Sequence, residues 1–156
     1  MQRVTQARVW IAGREHARIG PGLLVFVGVE DLDNAADVEW MGRKLVELRI
    51  FSPATGGGTE TLGSDSSREQ SVLQIGGDLL LISQFTLFAS TRKGTRPSWQ
   101  GAAKPIKAIP VYEALHRRLA ELMGRPVPSG VFGAEMLVEL TNDGPVTLWL
   151  DSRVRE

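Results

Sequence analysis

The chain has 156 residues, enough for one domain with a real core, and 18 basic residues balance 18 acidic ones. There is no cysteine, which removes disulfides, thiolate catalysis and zinc-thiolate sites together and fits a reducing cytoplasm. Zero formal net charge does not announce a polyanion partner, and the longest apolar runs are too short to span a bilayer, so a cytoplasmic, non-membrane protein without a signal peptide is expected.

Val4 to Ile11 is rich in β-branched and aromatic residues and reads as a strand ended by Gly13. Gly20-Pro21-Gly22 reads as a turn, and Leu23 to Val29 as a buried strand. Asp31 to Asn34 supplies capping residues. Val38, Met41, Leu45 and Leu48 then recur at helical spacing, which predicts a helix over Ala35 to Leu48. The stretch from Ser52 to Gln70 is polar and glycine-rich, so a long flexible loop, an insertion at about 54–71, is expected. Val72 to Ile75 suggests a short strand, and Leu79 to Phe88 a strongly apolar one ending in Ser83-Gln84-Phe85-Thr86. Ser90 to Gly101 is a basic loop. A second helix is expected over Val111 to Met123, with Pro110 at its start and Gly124 at its end. Ala134 to Leu140 reads as a strand, Asn142-Asp143-Gly144 as a tight turn, and Val146 to Leu150 as a further strand. The order predicts an α+β fold with a mixed or antiparallel sheet and two main helices, as a single domain over residues 1–156.

Several chemistries lack their motifs. The two histidines, His16 and His116, form no HExxH pair, and neither a GxSxG elbow nor a GxxxxGK[ST] loop is present. Ser83, Gln84 and Thr86 are polar side chains in an apolar strand, where burial without partners is costly. They read either as the solvent-facing end of a sheet or as a shallow polar floor able to hold a carbonyl oxygen as charge develops on it. Arg92, Lys93 and Arg96 read either as a solvated charged loop or as a phosphate-contacting rim, with Trp99 as a stacking surface. Gly144-Pro145 reads either as the start of an edge strand with a trans bond, the default, or as a cis bond that turns two carbonyls to one side.

Taken together, SQFTLFAS (Ser83 to Ser90), KGTRPSW (Lys93 to Trp99), GVFGAEM (Gly130 to Met136) and NDGPVTLWLDS (Asn142 to Ser152) resemble the D-aminoacyl-tRNA deacylase family. GPGLLVFVGVE (Gly20 to Glu30) and KLVELRIF (Lys44 to Phe51) extend the resemblance over nearly the whole chain. The resemblance implies a homodimer with a β-barrel-like core and active sites at the interface, acting on aminoacylated tRNA without a cofactor. It implies that Gly144 and Pro145 form a cis chiral gate reaching into the partner's pocket, supported by Arg3. It places Ser83, Gln84 and Phe85 at the pocket wall, and Thr86 at the position of a threonine once proposed as nucleophile. Phe132, Met136 and Ala102 match positions lining the pocket, and Arg92, Lys93 and Arg96 are candidate tRNA contacts. The scheme it favours is water attack assisted by the terminal adenosine's 2′-hydroxyl, because an unactivated threonine hydroxyl is a poor nucleophile. The chain departs from the family pattern in three places: Gln2 follows Met1 directly, residues 53–70 replace a compact segment, and Ser90 and Thr95 stand where acidic or amide residues are more usual.

Overall fold

The structure is a computed structural model that describes residues 1–52 and 69–155. Strand β1 runs over Gln2–Ile11 and turns at Ala12-Gly13, whose φ angles are 49° and 75°. Two successive residues with positive φ are what a two-residue hairpin turn needs to match the twist of its strands. Strands β2 (Arg14–Ile19) and β3 (Gly22–Val27) then run back along β1. Ala7 pairs with Ile19 and Val4 with Gly22, so both keep one register with β1. The Gly20-Pro21 stretch, expected as a turn, is therefore a corner within one long bent strand, and the chain does not reverse there.

Helix α1 (Ala35–Glu47) is held at its start by a capping box between Asn34 and Asp37. It returns the chain so that β4 (Asp78–Ser83) lies parallel to β3, from Gly22 opposite Asp78 to Val27 opposite Ser83. Parallel strands need such a crossover. Helix α2 spans Pro105–Met123, and β5 (Leu137–Thr147) covers the free edge of β1. The result is a curled, mixed sheet ordered β4, β3–β2, β1, β5, with two helices, as the α+β expectation requires. Leu23, Val25, Leu79 and Leu81 point from the sheet into the core shared with Leu45 and Val46 of α1 and Tyr112, Leu115 and Leu119 of α2. The opposite face of the sheet buries Val4, Val9, Leu24, Leu80 and Ile82. This explains why β3 and β4 are apolar on both faces.

Several expected boundaries are corrected. Val72 to Ile75 forms a turn closed by Ile75 N–H donating to Ser71 O and joins no strand. The apolar strand ends at Ser83, and Phe85–Phe88 is a single 3-10 turn. Helix α2 starts at Pro105, with Pro110 inside it. The N–H that Pro110 lacks would have paired with the carbonyl of Ile106, a residue 87% exposed, where water reaches it instead. The expected loop insertion lies almost wholly outside the described residues; Phe51 and Gln70 pair at its base.

The largest correction concerns β5. Residues 142–144 are not a hairpin turn between two strands. The strand runs through them, and the register with β1 breaks instead: Val4 pairs with Asn142 but Gln2 with Thr147. Four residues, Asp143 to Val146, therefore stand opposite Arg3 alone and bulge from the sheet.

Candidate active site

Ser83 closes β4, and the chain then leaves the sheet. Gln84 N–H donates to Val27 O at 2.7 Å, the last rung shared with β3. Beyond it the 3-10 turn gathers Gln84 and Thr86, and Gln84 Nε2 donates to Thr86 Oγ1. Ser83, Gln84 and Thr86 are half-buried, whereas Phe85 is 56% exposed. Gln84, Phe85 and Thr86 thus lie past the end of the apolar strand in which they were expected. Gly28 leaves room for this turn: a Cβ there would come within 2.7 Å of the Phe88 ring.

The segment from Gly130 to Met136 packs beside the same strand end. Leu81 donates to Pro128 O at 3.0 Å and accepts from Gly130 N–H at 2.9 Å. Tyr112 from α2 donates its hydroxyl to Leu81 O at 3.0 Å, and burial pushes that hydroxyl's pKa up to about 12, against the opposing effect of a Ser129 hydrogen bond. Phe132 packs edge-on to Tyr112, ring centroids 6.0 Å apart, and Met136 packs against the face carrying Ile82.

On the other side, Ser90 and Ser98 exchange main-chain hydrogen bonds of 2.8 and 3.0 Å. They close a loop whose tip, Gly94, has φ of 67°. Arg92, Lys93 and Arg96 are exposed on it. From Leu79 to Tyr112 the chain has five basic residues and no acidic one. Trp99 sits edge-on to Phe85, centroids 5.4 Å apart, and Ala102 N–H donates to Trp99 O at 3.0 Å. The pocket candidates from 83 to 102 therefore gather around one strand end with a positive rim.

Gly144 and Pro145 are elsewhere, exposed on the β5 bulge. Their peptide bond is cis. Within one chain β3 and β1 lie between them and β4. Arg3 braces the bulge from below and is only 6% exposed. Its Nε lies 2.9 Å from Asp143 Oδ2 and donates to Asp143 O at 3.2 Å, while Nη1 donates to Ile50 O. Asn142 and Asp143, which hold this element, were missed as functional residues in the sequence. Reading them as a turn hid them, and only the pairing of β5 with the distant β1 reveals their place.

One cavity of about 330 Å³ is mostly apolar and lies between β3, both helices and residues 147–153. It meets the strand-end site only through Leu87 and Phe88 and includes none of Ser83, Gln84, Thr86, Gly144 or Pro145.

Among the described residues the arrangement shows no nucleophile–base pair. His116 Nε2 is bonded to Val127 O at 2.7 Å, His16 is exposed on β2, and Thr86 Oγ1 faces an amide donor. A site of donors and main-chain groups, apart from a rigid Gly-Pro bulge, is the pattern that the sequence motifs marked out. The family model described as D-Tyr-tRNA(Tyr) deacylase matches residues 1–151. The chain belongs to this deacylase family. A relative named D-aminoacyl-tRNA deacylase from Akkermansia muciniphila is 47% identical over all of this chain and 97% of the relative. One of the same name from Parabacteroides distasonis is 46% identical over 99% of this chain and 97% of the relative. Among solved structures, the c-Myc DNA Unwinding Element Binding Protein aligns with TM-score 0.83 at 34% identity, over 96% of this chain and 95% of that one. A probable eukaryotic D-amino acid tRNA deacylase shares the fold, with TM-score 0.74 at 17% identity over 92% of each chain. Like the deacylase family's members, the chain is a hydrolase, and none of its described helices is long and apolar enough to cross a membrane.

Proposed function

We propose that the protein hydrolyses the ester of D-aminoacyl-tRNA, releasing the D-amino acid and free tRNA, as a cytoplasmic homodimer. Water oxygen bonds to the ester carbonyl carbon, the bond from that carbon to the 3′ oxygen breaks, and the proton passes to the departing 3′ oxygen. The main-chain and side-chain donors around Ser83, Gln84 and Phe85 stabilise the charge that develops on the carbonyl oxygen. Water is positioned with help from the terminal adenosine's 2′-hydroxyl, which fits a site whose Thr86 hydroxyl has no base beside it. Phe132, Met136 and Ala102 shape the wall for the adenosine and aminoacyl group, and Arg92, Lys93 and Arg96 meet the phosphates of the tRNA end.

The observation that carries this reading is the exposed Gly144-Pro145 bulge, braced by a buried arginine and separated from its own chain's strand-end site by two strands. A two-fold pairing lets each bulge reach the partner's site. There it acts as a fixed obstacle: an L side chain meets it, a D side chain points away, and glycine, with no side chain, is not excluded. Rejection by built-in clash is an economical source of specificity. Exposed apolar residues on β5, Leu137 and Leu140, supply an area for that pairing.

The test is hydrolysis of matched D-Tyr-tRNA and L-Tyr-tRNA over time by the purified protein. Loss of the D ester with the L ester spared is expected. Equal loss of both would mean an unselective esterase, and loss of neither a non-catalytic RNA-end binding module.

A further inference from the structure

The β5 bulge has a neck, and one side chain closes it. Asn142 Nδ2 donates to Arg3 O at 2.9 Å and to Val146 O at 3.1 Å. Arg3 is the β1 residue opposite which the register is lost, and Val146 is the last residue of the bulge. A neutral carboxamide nitrogen carries two hydrogens, and here they meet two carbonyl oxygens, one on β1 and one at the far end of the bulge. One side chain therefore ties the two ends of the bulge to each other and to the neighbouring strand.

The same carboxamide fills space. A Cβ added at Gly144 would come 2.9 Å from Asn142 Oδ1 and near no other atom outside that side chain. The φ of Gly144 lies outside the region that L side chains avoid. A larger residue there would have to push the carboxamide aside, whereas the backbone conformation itself does not demand glycine. Two features that look separate in the sequence, an asparagine and a glycine two positions later, form one device.

We propose that Asn142 is the positioning residue that fixes where the Gly144 and Pro145 carbonyls stand, and so sets the sharpness of chiral discrimination. This rests on the gate reading above. Asn142 acts through the bulge and contacts neither the ester nor the water. Arg3 works with it from the other side: its guanidinium holds Asp143 while its carbonyl accepts from Asn142.

The experiment compares rates on D-Tyr-tRNA and L-Tyr-tRNA, with melting temperature, for the wild type, Asn142→Asp, Asn142→Ser, Gly144→Ala, Asn142→Ala and the Gly144→Ala/Asn142→Ala double variant. Asn142→Asp keeps the shape but turns two acceptors toward a carboxylate that cannot donate. It is expected to lower the D-over-L rate ratio by about tenfold or more, while Asn142→Ser, with one donor left, recovers part of it. Gly144→Ala alone is expected to be more damaging than in the Asn142→Ala background, where its methyl has room; such non-additivity is the mark of direct contact. A wild type that discriminates, with Asn142→Asp keeping the ratio within twofold, overturns the positioning role while leaving the gate intact. So does a lowered melting temperature with an unchanged ratio, which is a structural role alone. A wild type that cleaves both esters equally removes the gate and this role together. If Asn142→Asp does not fold, additivity of the alanine pair, read by melting temperature, overturns the proposal.

Discussion

Replacing Arg3 by methionine tests the brace beneath the bulge. The guanidinium is nearly sealed, at 6% exposure, and serves three acceptors: the carboxylate and carbonyl of Asp143 and the carbonyl of Ile50. Its face also lies 6.0 Å from the centre of the Phe51 ring. The Asp143 side chain is 47% exposed, so water takes over most of that ion pair's contribution when the arginine goes. The two carbonyls are different, because a charged donor to each is worth about 1.5–3 kcal/mol. Methionine refills much of the stem's volume, and losing a buried charge returns some desolvation energy. A net loss of about 3 kcal/mol follows from the lower bound for the two carbonyls. For a chain of this size that is a fall in Tm of about 6–12 °C. Arg3→Lys should fall between, because a point ammonium cannot serve the fork of acceptors. Thermal denaturation followed by circular dichroism reads the effect, and D/L discrimination on tyrosyl-tRNA should decline in parallel. A Tm within about 2 °C of wild type for Arg3→Met would refute the reasoning, since it would mean that neither carbonyl depends on the guanidinium.

Thr86→Ala should retain substantial deacylation in single-turnover assays; complete loss in a folded variant would return the nucleophile role to this hydroxyl. Substituting Arg92, Lys93 and Arg96 together by serine should weaken tRNA binding and flatten its salt dependence, lowering the slope of log K against log salt by about 2 units if all three meet phosphates. Filter binding at several salt concentrations reads it, and an unchanged slope would leave the loop as a solvated surface. Tyr112 titrates at about 12 in the folded chain against an ordinary value of 10.0, so its contribution to stability is complete below pH 10 and is lost as pH rises toward 12. Denaturant titrations from about pH 9 to 12 should show that decline, reduced in Tyr112→Phe; identical decline in both would assign it to other groups.

How much of this was legible in the sequence depended on the range of the interaction. Helix α1 could be read from Val38, Met41 and Leu45 and from its capping residues because those signals are local. The apolar runs of β3 and β4 were legible for the same reason. The start of α2 was not, since Pro110 resembled an N-terminal proline while Pro105 fills that position. The bulge in β5 was least legible. Asn-Asp-Gly is a good local turn, but β1, more than a hundred residues away, holds the strand straight through it and displaces the extra residues outward. The motif marked candidate residues, and long-range pairing determined the form they take: an edge-strand bulge with Arg3 and Asn142 as its fastenings.

The acid-free stretch from Leu79 to Tyr112 has a consequence for the molecule as an electrical object. Its five positive charges are balanced only by a negative excess elsewhere in a chain of zero formal net charge and a pI near 6.8. The protein is therefore a dipole and not a uniformly neutral body. Near its own isoelectric point, where it has no mean attraction to any resin, it should still be retained by phosphocellulose and turn its basic loop toward the matrix. A tRNA approaching from a distance of about a Debye length, 8–10 Å, would meet the same torque, and the orienting would precede any contact.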